Sequence, residues 1–193
     1  MKKHEMTEED IKLRFITPAI ESKWNRDNQI RMEYCFTDGR VIVRGNSVTR
    51  GKKKKADDYI LYYKRNLPLA IVEAKDNNHS VGAGMQQGIE YAEILDIPFV
   101  YSSNGDSFFE HDMKNGTERE IALCDFFAPD NLWARYISEN GFTPEQEKLI
   151  TEPYYFSLSN KTLRYYQRVA INRTIEVVAR GQNRILLVMA TGT

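Results

Sequence analysis

The sequence predicts an α/β sandwich, a mixed β-sheet with helices on its faces. One observation is the order of periodicities along the chain: helix, hairpin, two strands, helix, strand. Another is "PLAIVEAK", whose Leu69–Val72 core is the near-continuous apolar run of a strand covered on both sides. A third is the turn chemistry at Asp38-Gly39 and in "KRNLP", which separates strand-like runs at hairpin spacing.

The first helix is announced by Thr7, an N-cap residue followed by the acidic "EED", and by Ile11, Phe15, Ile16 and Ile20 at helical spacing toward Trp24. "QIRMEYCF" and "RVIV" flank Asp38-Gly39 as the arms of a hairpin. "DDYILYY" and "PLAIVEAK" form the next strand pair. Ser80 is placed to cap a helix that turns Met85, Ile89, Ala92 and Leu95 inward, although Gly82, Gly84 and Gly88 weaken its first half by propensity. "IPFVYSSNG" is a further strand with "DSFFEHD" beside it. Two helical pieces at Leu132–Ser138 and Pro144–Ile150 follow, then a longer helix from Leu163 to Arg180 closed by Gly181. The apolar "RILLV" reads as a strand running into a Gly/Thr loop. This organisation predicts one domain over residues 1–150 and the opening elements of a second over 151–193.

Composition narrows the function classes. Lys plus Arg and Asp plus Glu each total 27 of 193 residues, so attraction to a polyanion has to come from a local patch. Cys35 and Cys124 have neither CxxC spacing nor a His cluster, which excludes a zinc or disulfide framework and suits a reducing cytoplasm. "MKKHEMTEEDIK" lacks the apolar core of a signal peptide, and no run approaches the roughly 18 apolar residues of a membrane span. A cytoplasmic protein without a membrane partner is expected.

The chemistry concentrates where the buried strand ends in "VEAK". Residues two apart on a strand share a face, so Glu73 shares one with Lys75, while Asp58 on the preceding strand lies on Ile60's side and approaches Glu73. Two partly buried carboxylates repel unless a cation sits between them. Mg2+ suits a few carboxylates plus waters and a substrate phosphate. So held, it can acidify a water and neutralise charge in phosphodiester cleavage, with the Lys75 ammonium beside it to hold water or transition-state oxygens. The bland reading, a strand simply reaching water, is countered by the acid on the neighbouring strand and by Gln87 and Tyr91 on one face of the next helix.

These residues carry a resemblance. "DDYILYY…PLAIVEAK" resembles the D…E-x-K signature of the PD-(D/E)XK nuclease superfamily, and Gln87-Gly-Ile-Glu-Tyr91 resembles the Q-x-x-x-Y motif of the DNA-cleaving subunit of type I restriction enzymes. The resemblance implies a restriction-endonuclease-like core with Asp58 and Glu73 as metal ligands, Lys75 as catalytic lysine, and Gln87 and Tyr91 as a supporting pair near the DNA backbone. Asp57 is the alternative ligand to Asp58, and Glu8 resembles an acid that the superfamily often adds. Double-stranded DNA, a methyltransferase subunit and a specificity subunit are the implied partners. A catalytically idle module that grips DNA or docks on the methyltransferase is the rival reading.

Lys52, Lys53, Lys54 and Lys55 form a dense basic run. A solvated loop would have the same composition, but its position before the Asp58 strand favours contact with phosphates, which such residues neutralise without reading bases. His79 has no partner at metal spacing and is not expected to be catalytic.

"LRYYQRVAINR" resembles the glutamine motif of superfamily-two helicases, which implies that Gln167 would read the adenine of ATP in a full-length relative. "ILLVMATGT" resembles a RecA-like strand and the first half of a phosphate-binding loop. The sequence stops before the lysine and threonine of that loop, so ATP hydrolysis is not expected of these 193 residues.

Overall fold

A reciprocal cap opens the first helix: Thr7 Oγ1 accepts the Asp10 N–H and Asp10 Oδ2 accepts the Thr7 N–H, both at 3.2 Å. The computed structural model describes residues 2–37, 41–44, 47–50, 53–154 and 163–189, the side chains of 34–57 excepted. From the cap run α1 (Glu8–Ile11), a widened π turn over Lys12–Ile16, and α2 (Thr17–Glu21). Pro18 has no N–H to close a regular turn onto Arg14, and the Thr17 N–H instead reaches back five residues to the Lys12 carbonyl. Ile11, Ile16, Ile20 and Trp24 are buried, and Trp24 Nε1 donates to the Phe127 carbonyl at 2.8 Å. Lys12 is only 4% exposed whereas its neighbour Leu13 is 70% exposed, an inversion of what polarity predicts.

The strands are β1 (Ile30–Thr37), β2 (Val41–Arg44), β3 (Ser47–Arg50), β4 (Lys53–Lys64) and β5 (Leu67–Ala74). Helix α3 (Met85–Leu95) then leads to β6 (Phe99–Ser103), β7 (Ser107–Asp112) and β8 (Glu118–Ala122). Six of them form one sheet in the order β1-β4-β5-β6-β7-β8. β5 and β6 are parallel and joined through α3, and the remaining neighbours are antiparallel. The mixed sheet with helices is therefore the observed architecture.

Several local expectations are corrected. β1 pairs with β4 and β2 with β3, so the two runs around Asp38-Gly39 are not each other's partners; that turn itself lies outside the described residues. Lys53, Lys54 and Lys55 belong to β4 instead of preceding it, and Lys52 lies outside the described residues. Helix α3 starts at Met85 with Gly84 as its cap; Ser80 belongs to the turn before it, and Gly88 and Tyr91 are buried where Ile89 is only half-buried. β8 is an edge strand in which Ile121 alone is buried, too weak an alternation to read from the sequence.

The two faces of the sheet are chemically distinct. Cross-strand partners share a face, so Val72, Tyr101 and Glu110 line one side, and Glu73, Ser102 and Phe109 the other. On the first side lies a buried ionic cluster. Glu110 Oε1 accepts from Arg119 and from Arg135 of α4 (Pro129–Asn140), each at 2.8 Å, and Arg135 also donates to Asp112 Oδ2 at 2.7 Å. Tyr101 donates its hydroxyl to Glu110 Oε2, and burial raises its phenol well above the ordinary range. Phe108 and Phe126 pack around Tyr101, and Trp133 of α4 stacks on Tyr63 with ring centres 4.5 Å apart.

Met1–Tyr136 form one unit and Ile137–Thr193 a second. In the second, Thr143 and Gln146 cap α5 (Pro144–Ile150) reciprocally. Helix α6 (Tyr165–Ala179) ends at Gly181, whose φ of +86° allows the Gln182 N–H to return to the Val177 carbonyl. The predicted strand at "RILLV" is not formed: the segment is irregular, with Leu186 87% and Val188 82% exposed, and among the described residues of its own unit there is no strand. Among the described residues no helix is long and apolar enough to cross a membrane.

Removing Arg135 would leave Glu110 and Asp112, each only 1% exposed, without that cation. Arg135→Ala is expected to cost about 3–5 kcal/mol of stability, read from urea unfolding; a loss below about 1 kcal/mol would mean that the cluster is not structural.

Candidate metal centre

The candidate centre begins with a bulge. Met32 pairs with Tyr59 and Tyr34 with Ala56, so Glu33 alone, at φ +52°, stands against both Asp57 and Asp58. Such a two-for-one bulge bends the strand and re-aims a side chain, and here it does so at the acidic pair. On its other edge the β4–β5 ladder reaches Tyr59–Val72, so Asp58 and Glu73 immediately follow the last pair.

Asp58 is 1% exposed and bonded through both oxygens. Oδ2 accepts the Ala74 N–H at 2.6 Å, which ties the β4 acid to the backbone between Glu73 and Lys75. Oδ1 accepts from Lys12 Nζ at 3.0 Å. Lys12 also meets Glu9 Oε1 at 2.7 Å. Burial acts to depress the Lys12 ammonium, yet the bonds to Glu9 and Asp58 outweigh it and hold the group above its ordinary value.

Glu73 is fully buried between neighbouring strands, with Ser102 as its partner on β6. The α3 glycines explain how a helix passes over it. A Cβ on Gly84 would stand 2.9 Å from Glu73 Cβ, and one on Gly88 would stand 2.5 Å from Val100 Cγ1 and 3.3 Å from Glu73 Cγ. Ser102 Oγ accepts the Gly84 N–H at 3.0 Å and fixes the start of the helix. The glycines therefore trade helix propensity for close approach.

Lys75 extends past β5, half-buried, with its N–H donating to the Ser103 carbonyl at 2.8 Å. Glu8 is half-buried too. Its carboxyl is raised by burial, lowered in turn by Lys75 and raised again by Asp58, which places all three within electrostatic reach of one another. Gln87 Nε2 donates to the Tyr91 hydroxyl at 3.2 Å, one turn apart on the helix whose glycines abut Glu73.

The polar tail of "EAKDNNHS" is structural. Asp76 Oδ1 accepts the Asn78 N–H at 2.8 Å and lies 2.9 Å from His79 Nδ1, Asn77 donates to Asp106 at 2.8 Å, and Asn78 donates to the His4 carbonyl at 3.1 Å. Lys3 Nζ reaches the Gly105 carbonyl at 2.6 Å from the other side. These bonds bind the N-terminal segment to the loops that end β5 and β6. His79 is an exposed member of this turn. In the second unit the Gln167 side-chain carbonyl accepts the Arg164 N–H at 3.1 Å and so caps α6.

The donor set fits a hard, water-rich cation. Two buried carboxylates beside an amine match the few-carboxylate requirement of Mg2+, and among the described residues no group of three or more His, Cys, Asp or Glu side chains forms a complete cage. Lys12 is the residue that sequence reasoning missed. A lysine on an amphipathic helix reads as solvent-facing, and the signal that could have found it is its spacing of four and eight residues from Ile16 and Ile20.

Comparison with known proteins gives concordant matches. Residues 19–125 match the family described as type I restriction enzyme R protein N terminus, and residues 160–193 match the type III restriction enzyme res subunit. The chain is 49% identical to the type I restriction enzyme EcoAI endonuclease subunit of Escherichia coli over 97% of its own length. It is 26% identical over 70% of its length to the EcoKI endonuclease subunit of strain K12. It spans 24% of the EcoAI relative and 15% of the EcoKI relative. A solved fragment assigned as an HsdR subunit of a type I restriction enzyme from Vibrio vulnificus YJ016 superposes with a TM-score of 0.81 at 40% identity, over 97% of this chain and 35% of that one.

The glycine geometry is testable by a matched pair. Gly88→Ala is expected to lose about 1–2 kcal/mol in urea unfolding, the overlap with Val100 exceeding the gain in helix propensity. Gly82→Ala, where an added Cβ would meet Phe109 at an ordinary 3.4 Å, is expected to be near neutral.

Proposed function

Because this chain belongs to the family of type I restriction enzyme R proteins, as their N-terminal region, we propose that it is the nuclease part of such a subunit and hydrolyses DNA phosphodiester bonds. One observation supports the reading: Asp58 accepts the N–H of Ala74, the residue between a fully buried Glu73 and Lys75. Asp58 and Glu73 would hold a magnesium ion, which when bound supplies an acidified water and a counter-charge for phosphoryl oxygens.

The residues of the chain do the rest. Lys75 donates to the attacking water or to a non-bridging phosphate oxygen, offsetting the negative charge that grows as water adds to phosphorus and the bridging P–O bond breaks. Ala74 and Lys12 fix Asp58, so the acid keeps its orientation. Gln87 and Tyr91, hydrogen-bonded to each other on α3, support the DNA backbone beside the site. Lys52–Lys55, on and before β4, neutralise further phosphates without base readout.

In the whole subunit the cut would follow ATP-driven translocation along double-stranded DNA. The segment matching the res subunit would begin the RecA-like motor, with Gln167 at adenine, and the nuclease domain would occupy about residues 1–150. Methyltransferase and specificity subunits would complete the assembly and choose the site in the cytoplasm.

Two measurements test this reading. Glu73→Ala and Lys75→Ala in the complete subunit are each expected to lower cleavage at least about a hundredfold while DNA association persists; undiminished cleavage would leave only a docking or DNA-gripping role. Neutralising Lys52–Lys55 is expected to weaken DNA association evenly across sequences and to reduce the salt slope by about 0.9 for each phosphate that the protein no longer neutralises.

A further inference from the structure

Lys12 is an unusual residue to bury. Its side chain is 6% exposed and reaches a carboxylate that is itself 1% exposed. A buried ion pair gains little stability over a well-packed apolar pair, since desolvation cancels much of the attraction. The apolar alternative is adjacent: Leu13 is 70% exposed. Lys12 stands four and eight residues before the buried Ile16 and Ile20, on the face that the helix turns inward. Stability does not explain that choice, and the charge does.

Around this position stand Asp58 and Glu8, with Glu9 at the rim, 77% exposed. Among the described residues, the cations facing them are Lys12 and Lys75. A carboxylate oxygen has two acceptor positions, and Asp58 spends one on Lys12 and one on the Ala74 N–H, which leaves one on each oxygen for a metal.

We propose that Lys12 is a resident cation of the centre: its ammonium stays on Asp58 Oδ1, so that the site holds its divalent ion loosely. This rests on the metal-centre reading above and adds a positioning residue from the N-terminal helix. A fixed positive charge within about 5 Å of a divalent ion weakens its binding, whereas a residue that only braces Asp58 would strengthen it.

Mn2+ binding followed by electron paramagnetic resonance, on the complete protein without nucleotide, separates these roles. Lys12→Gln keeps a hydrogen-bond donor near Asp58 and removes the charge. It is expected to bind Mn2+ at least about tenfold more tightly than the unaltered protein. Lys12→Met is expected to do the same, and Lys12→Arg to retain the original affinity. Equal or weaker Mn2+ binding in both neutral variants overturns the proposal. Glu73→Ala serves as the reference: it should lose this Mn2+ site, and if it binds like the unaltered protein, the failure lies with the metal-centre reading and not with Lys12.

Discussion

The hydrogen bond from the Ala74 N–H to Asp58 is the constraint on which the centre depends. It joins the side chain of one strand to the backbone of the next at the point where their ladder ends, and so sets the spacing of two carboxylates that would otherwise separate. A bulge opposite Asp58 frees it for this bond, and a buried ammonium on its other oxygen offsets the charge. Backbone, bulge and lysine act on one residue.

The sheet divides its polar work between two faces. On the α4 side, Glu110 and Asp112 are saturated by Arg135, with Arg119 added to Glu110, which makes that cluster rigid. On the α3 side the acids face an amine, a helix whose closest approaches are made by glycines, and the N-terminal segment. The saturated face supports the strands; the other leaves acceptor positions for a ligand.

Legibility in the sequence followed how local each cause is. Alternation on a strand is a two-residue property, so Glu73 and Lys75 could be read as sharing a face, and an apolar run marked β5 as central. The cap at Thr7 spans three residues, and Gly181 stops α6 by its own conformation; both were readable. The start of α3 was not, because Gly84 and Gly88 answer to Glu73 and Val100, which are distant in sequence. Asp38-Gly39 suggested a hairpin, yet β1 pairs with β4, distant in sequence, and β2 with β3. Lys12 was hidden for the same reason: its partner is 46 residues away, and a lysine's ordinary place is in water.

The close approach of α3 to the sheet has a consequence for biosynthesis. With Gly84 as its cap and Gly88 in its second turn, this segment has little tendency to be helical alone, and it acquires helical order by docking on β5 and β6. Glu73 is enclosed in that same docking event. In a nascent chain Glu73 is therefore closed over only once β5 and β6 are in place to receive the helix.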